Sequence, residues 1–264
     1  YLKNPFELAF EEDLFGGKSA VSKVIASHPF TAQACETYED FKSNSDSFLL
    51  LSGSSESLAL PEASVDAVVT DPPYFDFVHY SELSDFFFAW LSPVLKKEYP
   101  WFDKPDSSDS GEVQNKDPWE FARRLSKVFS ECHRVLKKQG VLVFSFHHSR
   151  PEGWAAIYEA LSIANFQIVN AHPVHAELKA ASPKSATKSP ISLDALIVCR
   201  KRQNQMQNAI INRKELPIAE GNFAMGDQFV MQAAYSLVSC STRLSSTSET
   251  LGQVEKVYSE VYTG

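Results

Sequence analysis

The apolar run Val65-Asp66-Ala67-Val68-Val69, followed at once by Thr70-Asp71-Pro72-Pro73-Tyr74, constrains this chain more than any other feature. A β-branched run of this length reads as a buried strand, and two consecutive prolines stop it because proline has no N–H to donate and a fixed φ. The strand therefore ends in a rigid, extended corner. In an open α/β sheet, a corner at the carboxyl end of a strand lies where ligands bind. A central position in the sheet is expected for this strand, with one acidic and one aromatic side chain at the mouth of a cleft.

These residues suit transfer of a group to a planar amine. An amine conjugated to a heterocycle is a poor nucleophile, since its lone pair is delocalised into the ring. Asp71 and the Pro72 carbonyl can each accept an N–H hydrogen bond and draw the nitrogen toward tetrahedral geometry, and the diproline keeps both acceptors aimed before substrate arrives. Tyr74 offers a π-face, and stacking of a base on an aromatic ring is worth roughly 1–3 kcal/mol. The same tetrapeptide is also a respectable turn sequence, and taken alone it does not choose between the two.

The rest of the chain reads as alternating strands and helices. Residues 1–44 are mixed, with an amphipathic helix expected from Lys18 to Ser27. A short strand from Ser47 to Leu51 leads into the polar turn Ser52-Gly53-Ser54-Ser55-Glu56. After the proline corner, a heavily apolar helix is expected over Ser81 to Leu91; its consecutive Phe86, Phe87 and Phe88 cannot all face one site and read as core. A polar segment from Lys96 to Lys116 reads as an insertion. Asp117-Pro118 then opens a long helix, with Asp117 as cap and Glu120 at a capping-box position, and Gln139-Gly140 closes it. Val141 to Phe146 is a strand, Glu152 to Ala164 a helix, Phe166 to Ala171 and Ile191 to Cys199 strands. In the tail, Phe229 to Val238 reads as a helix and the Ser/Thr-rich Ser239 to Thr250 as a linker. The expected divisions are residues 1–44, a catalytic core at 45–202, and a helical tail or start of a further domain at 203–264.

With 264 residues, 44% of them hydrophobic, the chain can bury a sizeable core. No apolar run is long enough for a membrane span and no signal peptide is visible, so a cytoplasmic protein without membrane partners is expected. The four cysteines have no metal-site spacing and read as free thiols in a reducing compartment. The pair His147-His148 ends a strand, yet no third ligand matches it by spacing, and neither do His172 and His175 form a site; no metal is expected. A net charge of −8 argues against a uniformly basic nucleic-acid surface. Local basic candidates are Lys179, Lys184, Lys188 and Arg200-Lys201-Arg202.

Beyond the tetrapeptide, the ordered segments Tyr80-Ser81-Glu82-Leu83-Ser84-Asp85-Phe86-Phe87, Arg134-Val135-Leu136-Lys137-Lys138-Gln139-Gly140 and Phe144-Ser145-Phe146-His147-His148 share one resemblance. Over about residues 48–202 the chain resembles a group of adenine-specific DNA methylases, amino-methyltransferases that use S-adenosylmethionine. The resemblance implies a Rossmann-like methyltransferase sheet, mostly parallel with an antiparallel closing strand. It also implies S-adenosyl-L-methionine as cofactor and the exocyclic amine of adenine in DNA as substrate. Asp71, Pro72, Pro73 and Tyr74 would then be catalytic. Phe75, His79, Tyr80, His147 and His148 would line the substrate side, and Ser54, Ser55, Glu56 and Asp71 the cofactor side.

One departure qualifies the resemblance. Such enzymes carry a glycine-rich turn after their first strand, where the backbone approaches the cofactor; here Phe15-Gly16-Gly17-Lys18 is the nearest candidate, with no convincing strand before it. The chain also opens on Tyr1 without an initiating methionine. It is therefore expected to be the carboxyl-terminal part of a longer or split protein, incomplete in the N-terminal half of the sheet. The expected partners are DNA and the remainder of the same protein, or a second subunit, bearing the glycine-rich turn. Methylation of a base in RNA and a noncatalytic substrate-binding subunit are the alternatives.

Overall fold

A computed structural model describes residues 9–12, 18–21, 31–75, 80–176, 191–202 and 223–263. The chain forms two compact units, Tyr1–Gly53 and Ser54–Gly264. In the first, β1 (Ala9–Glu12) pairs antiparallel with β2 (Lys18–Val21). Also in this unit, β3 (Gln33–Cys35) pairs parallel with β4 (Ser47–Leu49) across α1 (Tyr38–Ser43). The helix expected from Lys18 is thus a strand over its first four residues, because backbone pairing with Ala9–Glu12 overrides the helical spacing of its side chains; residues 22–27 lie outside the described residues.

The second unit is built on a four-stranded sheet in the order β5 (Val65–Thr70), β6 (Leu136–Phe146), β8 (Leu193–Lys201), β7 (Phe166–His175). β5 runs parallel to β6, and β8 runs antiparallel to both β6 and β7. Three strands therefore share one direction and the last in sequence opposes them, the mostly parallel sheet with an antiparallel closing strand that a Rossmann-like methyltransferase half requires. The position of β5 differs from expectation. It is an edge strand, paired among the described residues with β6 alone, and Val69 is 78% exposed.

Two long helices flank β6 in sequence. α3 (Pro118–Val135) begins as predicted: the Asp117 carboxylate accepts from the N–H groups of Trp119 and Glu120, and Pro118 fills the first turn. The expected capping box does not form, because Glu120 instead accepts from Arg123 and Arg124 and the Asp117 N–H goes to Asn115. Phe121, Leu125, Phe129, Cys132 and Val135 recur on its buried face. The helix hands over directly to β6 at Leu136, so Gln139-Gly140 lies inside the strand. There a Cβ on Gly140 would meet Leu136 Cδ2 at 2.8 Å and the Lys137 and Asp66 carbonyls at 3.0 and 3.2 Å, which fixes glycine at the bulge between β5 and β6.

α4 (Pro151–Ile163), α5 (Met225–Arg243) and α6 (Thr247–Thr263) complete the core. Leu142, Phe144, Phe146, Ala195, Ile197 and Cys199 alternate onto the buried face of the sheet, together with Trp154 from α4, Phe229 and Ala233 from α5 and Val254 from α6. The stretch Ser239 to Thr250, expected as a linker, is the end of α5 and the start of α6. Its hydroxyls bond backbone groups near and far, as when the Thr242 hydroxyl donates to the Val238 carbonyl and the Ser241 hydroxyl accepts from the Ile168 N–H of β7. The tail is therefore packed on the sheet in this unit.

The other face of the sheet is only half covered. So is α2 (Tyr80–Leu95), longer than expected and without one buried residue. The core placement expected of Phe86, Phe87 and Phe88 does not hold. Phe86 and Phe87 are 66% and 64% exposed, and only Phe88 finds a stacked neighbour, Phe102 of the short 3-10 turn Pro100–Phe102. An apolar helix buries its rings only where a second layer faces it, and none of the described elements covers this one. The segment after α2 is tied back to it through Asp85, whose carboxylate accepts from the N–H and hydroxyl of Ser107 and is held below the usual carboxylate range by them.

Candidate active site

β5 and β6 place the site. Their parallel register pairs Thr70 with Phe144, so that the next residues, Asp71 and Ser145, stand side by side where β5 stops. The Ser145 hydroxyl donates to Asp71 Oδ1, and the Tyr74 hydroxyl donates to the same oxygen at 2.8 Å. Pro72 is buried and Pro73 half-buried between them. The prolines do what their chemistry demands: they end the ladder and turn Tyr74 back over the strand end. Asp71 itself is exposed, and its Oδ2 has no partner among the described residues.

The Tyr74 ring is seated on β6. It lies 5.5 Å from the Phe146 ring and meets the His147 ring edge-on at 4.8 Å and 84°. Burial raises the phenol's pKa well above its ordinary value, with the Asp71 and Asp194 carboxylates adding to the effect, so Tyr74 stays protonated and remains the donor to Asp71.

Two residues assigned to the substrate side serve the scaffold instead. Phe75 has a φ of +55° and is 1% exposed, packed against Phe121 at 5.5 Å and His148 at 5.3 Å with the Arg150 guanidinium over its ring. A left-handed backbone costs a residue with a side chain roughly 1–2 kcal/mol, and full burial of a phenylalanine is worth about 1.5–3 kcal/mol. The buried ring is thus the anchor that holds the strained corner. His148 is buried as well; its Nδ1 accepts from the Arg150 N–H at 3.1 Å and its carbonyl accepts from Trp154 Nε1 at 2.9 Å. A Cβ on Gly153 would strike that imidazole at 2.7 Å. His148 therefore docks the start of α4.

His147 does reach the site, and it brings a residue the sequence did not single out. Its Nδ1 is bonded to the Asp194 carboxylate of β8. The signal for Asp194 was an acid alone in the apolar run Leu193-Asp194-Ala195-Leu196-Ile197; Ser145, likewise, was a polar residue between Phe144 and Phe146. Tyr80 is exposed at the first turn of α2, and His79 lies outside the described residues. Ser54, Ser55 and Glu56 form an exposed to half-buried polar turn. Glu56 pairs with Lys127 of α3 at 3.6 Å and its N–H bonds the Ser54 hydroxyl. Arg200 and Arg202 stand at the far end of the sheet, where Arg200 pairs with Val141 and donates to the Gln139 carbonyl; Lys179, Lys184 and Lys188 lie outside the described residues.

A corner that tethers one carboxylate oxygen and leaves the other exposed, at the carboxyl end of a strand, can accept a hydrogen bond from a donor such as an amine. The family model for DNA methylases matches residues 65–256, from the first residue of β5 into α6. The chain belongs to the DNA methylase family. No curated protein matches it. Among solved structures it is similar to a protein of Thermus thermophilus provisionally assigned as a DNA modification methylase, at 20% identity over 59% of this chain and 53% of that one, with a TM-score of 0.30. The same protein in complex with S-adenosyl-L-methionine gives 20% identity, 59% and 55% coverage and a TM-score of 0.30. A SAM-dependent methyltransferase from Methanosarcina mazei gives 15% identity, 60% and 67% coverage and a TM-score of 0.29. This DNA methylase chain thus spans about half the length of the Thermus protein.

Proposed function

We propose that this chain is the substrate-binding half of a methylase that transfers a methyl group from S-adenosylmethionine to the exocyclic amine of adenine in DNA. The observation that carries the reading is the exposed Asp71 carboxylate, tethered through Oδ1 by Tyr74 and Ser145 and free through Oδ2 among the described residues. An adenine rotated out of the duplex would lay its ring against Tyr74. Its amine would donate one hydrogen to Asp71 and the other to the Pro72 carbonyl. Two acceptors on one nitrogen favour tetrahedral geometry and localise the lone pair, which makes the nitrogen a nucleophile. The rigid corner does this without reorganising at the moment of reaction.

The described residues at the corner serve the amine. Glu56 pairs with Lys127 of α3 and the Ser54 hydroxyl bonds the Glu56 N–H, Gly140 fills the bulge of β5 and β6, and Gly153 lies under His148, while a Cβ on Gly53 would meet open space. Phe15-Gly16-Gly17 lies outside the described residues. No step through the donor is derived from this chain. On this reading a complementing part, either the remainder of the same protein or a second subunit, supplies the glycine-rich turn of the donor pocket. The edge of β5, which has β6 as its one partner among the described residues, with Val69 exposed, and the apolar surface of α2 support that assignment, since exposed strand edges and apolar helix surfaces are normally covered.

The test is transfer of labelled methyl from S-adenosylmethionine to duplex DNA by the chain joined to its complementing part. Asp71→Ala should abolish transfer and leave the circular dichroism spectrum unchanged. Methylation of RNA with none on duplex DNA would overturn the substrate. Transfer by the complementing part without this chain would make the chain a noncatalytic subunit.

A further inference from the structure

We propose that Asp194 is a positioning residue for Tyr74, acting through His147, so that the closing strand β8 sets the angle of the aromatic platform beside Asp71. The inference rests on the functional reading above and deepens it. It begins with register. Antiparallel pairing of β6 and β8 sets Phe146 opposite Ala195, both on the buried face. The next residue along each strand end, His147 on β6 and Asp194 on β8, then falls on the half-covered face with Ser145. There the two side chains bond, with exposures of 15% and 14%.

A carboxylate is an acceptor only, so the bond requires the proton of His147 to sit on Nδ1. That fixes both the tautomer and the plane of the imidazole. The fixed ring presses edge-on against Tyr74 at 4.8 Å, while Phe146 supports the same ring at 5.5 Å and Asp71 holds its hydroxyl. Tyr74 is thus clamped at its hydroxyl and along its flank. Asp194 is itself anchored. The buried Asp227 carboxylate, in the first turn of α5, accepts from the N–H groups of Ser192 and Leu193 at 2.6 and 3.0 Å, pinning the two residues that precede Asp194. The chain of supports runs from α5 through β8 to the platform, and removal of Asp194 takes away the acceptor that holds His147 Nδ1.

The experiment uses chain labelled with ¹³C in the tyrosine rings, the Tyr74 signal being assigned by Tyr74→Phe. Asp194→Ala should shift or broaden the Tyr74 resonances and leave the other tyrosines in place, and Asp194→Asn, whose amide oxygen can still accept from Nδ1, should restore them. With the complementing part, S-adenosylmethionine and unmethylated genomic DNA, Asp194→Ala should lower kcat on the order of tenfold, as misplacement of a reacting group does, with KM for the methyl donor unchanged. A Tyr74 signal unmoved in Asp194→Ala, a general shift of all tyrosines, or a kcat equal to wild type would each overturn the proposal. If the wild-type protein transfers no methyl group, the functional reading fails, and the Tyr74 resonances still decide whether Asp194 positions the ring.

Discussion

At the scale of single residues, Tyr74 and Phe75 are neighbours with opposite duties. Tyr74 faces the carboxylate it tethers, and Phe75 turns through a left-handed backbone to bury its ring under Arg150. Tyr74→Phe keeps the ring on Phe146 and His147 and removes the hydrogen bond to Asp71. It should lower methyl transfer several-fold at unchanged thermal stability, measured by single-turnover assay and calorimetry. Phe75→Ala should instead lower stability by about 3–5 kcal/mol, the usual cost of emptying a buried phenylalanine site, read from urea unfolding. That the prolines at 72 and 73 end β5 could be read from sequence because proline chemistry acts locally. Phe75 and His148 could not, since whether an aromatic or a histidine beside a catalytic corner faces ligand or core depends on Phe121 and α4, distant in sequence.

At the scale of elements, the start of α3 was legible to the residue, because its cap, first proline and apolar spacing agree, whereas its end at Val135 came earlier than the expected Gln139-Gly140. The placement of β5 was not legible. An apolar run announces a strand but not its neighbours, and only the ladder shows that β5 has one among the described residues. The tail was misread for a related reason: serine and threonine suggest linkers by composition, and here packing against β7 and α4 makes them helical. Helix α3 also carries an acid-sensitive strap. Glu131 accepts from Arg134 and from the Leu58 N–H at 2.7 Å, and these hold its carboxyl down to about 2. Because the folded value lies below the unfolded one of about 4.3, the bonds contribute stability above that pH and lose it as pH falls through about 2. Glu131→Gln should flatten the fall of Tm across that window, checked by thermal melts at stepped pH. Asp227→Ala, which strands two N–H donors at the start of β8, should cost about 1–3 kcal/mol in the same denaturant titration.

At the scale of the whole molecule, the second unit closes well on one side and stays open on the other. Helices α3 to α6 bury one face of the sheet, while the β5 edge and α2 expose valine, phenylalanine and tryptophan. Among the described residues no helix is long and apolar enough to cross a membrane, so that surface is not a span. A complementing part that adds a strand beside β5 would complete the sheet and bring the donor to Asp71. Val69→Lys, at a position already exposed, should leave the Tm of the chain within about 1 °C, as surface changes do, and weaken association with the complementing part in an ultracentrifuge titration.

Asp71 as the acceptor of an amine proton is the claim on which the rest depends, and one measurement reaches it most directly. Duplex DNA is incubated with labelled S-adenosylmethionine and the complemented protein, then digested to nucleosides. Wild type should yield labelled N6-methyladenine, and Asp71→Ala should yield none at equal DNA binding. Label appearing in adenine at undiminished rate in Asp71→Ala would contradict that role.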